Sequence, residues 1–163
     1  MLVVLAVACV FDLRTRRIPN FLTFGGAALA VLYAGTAHGF AGLTHSVGGW
    51  LAGVCIFLPL FVLGGLGAGD VKLMACVGAF VGPTQALWSA LYAALAGGVV
   101  AIVVAVGTGY LRTAVDNMYL LLSHFRVAGI RPHPELTLER GKGPRLPYAI
   151  PIAAGAIAAM WLH

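Results

Sequence analysis

Gly64-Gly65-Leu66-Gly67-Ala68-Gly69-Asp70-Val71-Lys72-Leu73-Met74 is the stretch around which the chain is organised. Four glycines within six residues run into one aspartate. An apolar run, 47–63, precedes them, and another, 71–81, begins directly after the aspartate. A carboxylate where two apolar segments of this kind meet is costly in hydrocarbon, so it marks a functional site by default. Asp12, at the end of the first apolar run, is its candidate partner. The other acids, Asp116, Glu135 and Glu139, share one late polar segment.

The composition fixes the class. Of 163 residues, 61% are hydrophobic and 9% charged, with mean hydropathy +0.97. An average soluble domain carries about 25% charged residues, so this chain is read as an integral membrane protein of a single domain, 1–163. The net charge of +5 does not point to nucleic acid, because the basic residues fill the gaps between apolar runs, as membrane topology and anionic lipid require. Cys9, Cys55 and Cys76 lie inside apolar runs with no C-x-x-C pair and read as buried thiols. Residues 1–11 lack the basic start and small-residue cleavage site of a signal peptide and read as a retained helix.

Apolar segments at about 2–14, 18–34, 47–63, 71–81, 86–110 and 146–162 predict an all-α bundle of six transmembrane helices. The first is short. Either its helix continues through Asp12 to Arg14 or the natural chain starts upstream. Pro19 suits the first turn of the second segment. Residues 35–46, with His38 and His45, read as a loop, and Pro59 as a kink in the third segment. Gly82-Pro83-Thr84 reads as a tight turn. Leu111, Val115, Met118, Leu122 and Phe125 recur at helical spacing, which predicts an amphipathic cytoplasmic segment within 111–145, irregular over 131–144. Gly49-x-x-x-Gly53 and Gly78-x-x-x-Gly82 read as close helix packing. With six crossings, all ten Lys and Arg residues fall on one side. By the positive-inside rule that side is cytoplasmic, both chain ends face out, and Asp12 and Asp70 share the cytoplasmic face.

Two carboxylates at one depth can hydrolyse a peptide bond. One takes a proton from the attacking water; the other, protonated, donates to the oxyanion and then to the leaving amine. Held close, they cannot easily both ionise, so they share a proton. Glycines ahead of Asp70 leave room for an extended substrate backbone. Plainer readings stand beside this one: Asp70 as a helix N-cap, Asp12 as an interfacial anion near Arg14, Arg16 and Arg17, and Lys72 as a topology signal rather than a group that tunes Asp70 or orients substrate. A transporter or channel carrying a proton or cation on the two aspartates is a second class of reading. A non-catalytic assembly factor of a secretion system is a third.

Gly67-Ala68-Gly69-Asp70 is a G-x-G-D motif, and Gly69 to Leu73 resembles the type IV prepilin peptidase family. Asp12 to Asn20, with Arg17, Ile18, Pro19 and Asn20 in sequence, resembles that family's first aspartate block, and Leu146 to Ile150 the start of its last helix. The resemblance implies that Asp12 and Asp70 are the catalytic aspartates of an intramembrane endopeptidase, with Gly67, Gly69, Lys72, Arg17, Pro19 and Asn20 as motif residues around them. It implies a bacterial inner-membrane enzyme that cuts prepilins or pseudopilins after a glycine at the end of a basic leader, with no metal or organic cofactor. Larger members carry a C-x-x-C zinc domain between the first two helices and methylate the new terminus. Only Asp12 to Arg17 stands there in this chain, which therefore resembles the short, peptidase-only branch serving Flp-type (tight-adherence) pili, with archaeal preflagellin peptidases as the neighbouring alternative.

Overall fold

The computed structural model describes residues 1–63, 65–109, 112 and 147–162. They form helices α1 (Leu2–Thr15), α2 (Asn20–Val62), α3 (Ala68–Val81), α4 (Pro83–Gly107) and α5 (Ala149–Leu162), with no strand among them. The amphipathic segment expected within 111–145 lies outside the described residues apart from Arg112, which is exposed.

The region expected to be a loop, 35–46, is instead helical except at Gly39. Gly39 has φ 60° and ψ −146°, a conformation that is essentially reserved for glycine. It divides α2 into two arms. Gly42 comes back against the carbonyl of Ala34, whereas eight residues of straight helix would separate them by about 12 Å. The contacts with α3 fix the direction of each arm. Along the first arm, Asn20 meets Lys72, Gly26 meets Cys76, and Ala27 and Ala30 pack with Cys76 and Ala79. That arm runs parallel to α3. Along the second, the Ser46 hydroxyl donates to the Ala79 carbonyl at 2.7 Å, Gly49 meets Gly78, and Gly53 meets Met74. That arm runs antiparallel. The pair is therefore a helical hairpin turned by one residue. Backbone at membrane depth must satisfy its own hydrogen bonds, and a one-residue break leaves fewer groups without partners than a twelve-residue loop would. The only non-helical dihedrals within α2 are those of Gly39, so Pro59 does not break the helix.

The remaining passes follow from similar contacts. Gly82, at φ 82°, turns α3 into α4, with Pro83 opening the new helix. Gly155 of α5 packs on Ser89 and Ala93 of α4, and Gly97 of α4 on Tyr148 and Pro151, so α4 and α5 are antiparallel. α1 continues through Asp12 to Thr15 and ends on Arg16 in a left-handed conformation. Gly26 meets Val4 early in α1. One end of the bundle thus gathers the end of α1 and the starts of the first α2 arm, α3 and α5. The opposite end carries Gly39 and Gly82, with the His45 ring over Gly82.

Packing follows the rules of a bilayer. Interior positions are mostly small: Ala8, Ala27, Ala30, Ala75, Ala79, Ala90, Ala93, Ala156 and Ala159 are buried, with Leu73, Met74, Val77 and Ile152 as the larger core. Large apolar side chains such as Leu29, Leu32, Leu87, Leu95, Val99 and Ile102 point outward. A soluble monomer rarely exposes so much contiguous apolar surface, whereas lipid-embedded helices pack through small residues. Cys55 shares this exposed surface, so it is not the buried thiol expected from its run; Cys76 is buried. By length and composition, Asn20–Val62 and Pro83–Gly107 are membrane-spanning candidates. At Gly49 and Gly78 the backbones of the second arm and α3 touch, so a Cβ on either would collide with the other's carbonyl.

Candidate active site

Asp12 reaches the gathered end of the bundle on the last turn of α1. Its Oδ2 accepts the backbone N–H of Ala149 at 3.0 Å, at the start of α5. This is a carboxylate at a helix N-terminus, where unpaired N–H groups favour negative charge. Asp70 arrives at the same end on the first turn of α3, which begins at Ala68 rather than at Val71. Its Oδ2 accepts the N–H of Gly67, the N-cap residue, at 3.0 Å. Asp70 is therefore not itself the N-cap, but it does satisfy one of the orphan donors of its own helix. Both aspartates are buried, at 8% and 9% exposure.

The two sequence blocks that carry the aspartates also touch each other. Ile18 packs on Gly69, where an added Cβ would stand 3.4 Å from that of Ile18. The turn after α1 thus lies against the start of α3 at this place in the motif. The Lys72 ammonium donates to Asn20 Oδ1 at 2.9 Å and lies 5.6 Å from the centre of the Phe24 ring. Lys72 and Asn20 thus clip α3 to the first arm of α2 beside the aspartates. Pro19 is the N-cap of that arm, and Arg17 is exposed. The sequence reading assigned no role to Ile18, Tyr148 or the Ala149 N–H. Two of these lie 137 positions or so from Asp12 along the chain, and only the fold of α1 against α5 brings them together.

A cavity of about 250 Å³ lies at this end of the bundle, lined by Phe57 and Leu60 of α2, Gly65 and Leu66 of the turn, Gly97 of α4 and Tyr148. A second cavity, of about 570 Å³, lies at the opposite end, around His38, His45 and Ser46. It is larger, and neither carboxylate lines either cavity; the smaller one includes Leu66, four residues before Asp70, and Tyr148, next to Ala149.

Fold and site together define a protein whose described residues are helical, with a lipid-compatible surface and two buried carboxylates at one end. The type IV leader peptidase family matches residues 1–102, and the chain belongs to that family. Members are membrane-embedded peptidases that process prepilins. No curated protein and no solved structure matches the chain.

Proposed function

We propose that Asp12 and Asp70 are the catalytic pair of an aspartic endopeptidase. It removes the basic leader of Flp-type prepilins at the cytoplasmic face of the bacterial inner membrane, without methylating the product. The observation that carries this reading is that two buried carboxylates from separate sequence blocks stand at one end of the bundle, each held by one backbone N–H.

The chemistry needs nothing beyond the pair and water. With one proton shared between them, the ionised carboxylate removes a proton from water as its oxygen attacks the scissile carbonyl. The tetrahedral intermediate collapses with cleavage of the C–N bond, and the protonated carboxyl gives its proton to the departing amine. One water is consumed, and a carboxyl and an amino terminus are formed. The proton taken from water replaces the one given to the amine, so the pair again holds a single proton, and its titration belongs to both residues together. Gly67 and Gly69 keep side chains away from the approaching substrate backbone. In this reading the six antiparallel passes all cross the bilayer. The end carrying Arg14, Arg16, Arg17 and Lys72 is cytoplasmic by the positive-inside rule.

Co-expression with a candidate Flp prepilin tests this by mass. The expected product lacks the leader, and its N-terminus is unmodified when the purified enzyme is also given S-adenosylmethionine. An intact precursor with every candidate pilin argues against the activity. An added methyl that depends on this enzyme alone argues against the peptidase-only branch.

A further inference from the structure

Resting on that reading of the aspartates, we propose that Tyr148 is a further catalytic residue. Its phenol O–H donates a hydrogen bond to the scissile carbonyl oxygen as negative charge develops there.

The placement comes from both acids and from the cavity. Tyr148 immediately precedes Ala149, whose N–H is bonded to Asp12, so its backbone is fixed against one carboxylate. Its ring lies at the end of the bundle where Asp70, the other carboxylate, opens α3. The ring rests on Gly97, where an added Cβ would come within 3.4 Å of Cε1. It also lines the cavity that runs to Leu66 and Gly65, the residues leading into the Asp70 turn. The side chain is half-buried, and among the described residues its hydroxyl has no hydrogen-bond partner. A substrate backbone entering between the aspartates and the cavity would therefore meet a donor that no described group occupies.

The chemistry has a use for such a donor. The single proton held by the aspartate pair must reach the leaving amine. If the same carboxyl is also the sole donor to the oxyanion, one group serves two oxygen-to-nitrogen demands in sequence. A phenol, with an ordinary pKa of about 10, stays protonated at neutral pH and can stabilise the oxyanion without giving up its proton. No proton passes through Tyr148 in this scheme. The balance of the hydrolysis is unchanged.

The test uses the full-length enzyme in detergent or vesicles with a purified prepilin. Tyr148→Phe keeps the ring on Gly97 and removes only the hydroxyl. Loss of one oxyanion donor predicts a fall in kcat of about 10²- to 10³-fold, with KM little changed and the helix content and yield of the wild type. A second variant places difluorotyrosine, a more acidic phenol, at position 148. A donor must be protonated, so the basic limb of the kcat–pH profile should move to lower pH. Tyr148→Phe at wild-type kcat, a loss confined to KM, or an unmoved basic limb overturns the proposal. Asp70→Asn is run alongside. If the wild type cleaves and Asp70→Asn does not, an active Tyr148→Phe defeats only the role of Tyr148. If the wild type itself fails to cleave, the peptidase reading and this inference fall together.

Discussion

At Asp70 a structural role and the proposed chemistry share one side chain. Its Oδ2 holds the Gly67 N–H and so helps start α3. An Asp70→Ala variant would therefore mix lost capping, about 0.5–2 kcal/mol, with lost chemistry. Asparagine keeps an acceptor oxygen, and so it separates the two. Lys72 poses the converse question. Its ammonium is engaged by Asn20 and Phe24, so its work is to clip two helices together. We expect Lys72→Met to lower thermal stability by about 1 kcal/mol, with less than additive loss in the Asn20→Ala, Lys72→Met double variant, and to retain cleavage. A Lys72→Met enzyme as dead as Asp70→Asn would place the lysine in the chemistry instead. The sequence offered Lys72 as a topology signal or as a group that tunes Asp70 or orients substrate. It could not show which way the side chain turns, since Asn20 is distant in sequence and adjacent only across the helix pair.

The hairpin of α2 shows what the scale of elements adds. Hydropathy located both arms, because each is a long apolar run. The turn between them was misread because threonine, histidine and glycine between 35 and 46 resemble a loop by composition. In a bilayer the backbone's need for internal hydrogen bonds outweighs that signal, and one residue makes the reversal. Gly39→Ala should then strain the turn by about 1–3 kcal/mol, read as a lower unfolding temperature in detergent. Gly98→Ala is the control: it lies in α4, and nothing stands within 4 Å of an added Cβ. Equal stability of the two variants would remove the turn from Gly39. The packing glycines were legible for a different reason: Gly49 and Gly78 each sit four residues from a second glycine, and that spacing presents one flat face of a helix.

At the scale of the whole molecule, the direction of each described helix follows from packing contacts, while the proposed membrane sidedness rests on charge. Arg14, Arg16, Arg17 and Lys72 belong to the end that holds the aspartates, and His38 and His45 to the other. Cysteines introduced at Arg16 and Gly65 should react with an impermeant thiol reagent only from the cytoplasmic side, and one at His38 only from outside, in a background lacking Cys9, Cys55 and Cys76. Labelling of position 65 from outside would invert the arrangement. The Asp12–Ala149 contact was beyond sequence reading, because it depends on how α1 and α5 lie together. The placement of Asp12 and Asp70 at one end was within reach, because each closes or opens an apolar run there, and their pairing is the proposal built on it. That pairing is the central claim, and prepilin cleavage by Asp12→Asn, Asp70→Asn and the double variant measures it most directly. Groups that act as one unit lose about as much singly as together. The account predicts three proteins that insert normally and are equally inactive, while Asp116→Asn, Glu135→Gln and Glu139→Gln cleave as the wild type does. Leader removal near the wild-type rate by either single aspartate variant would contradict it.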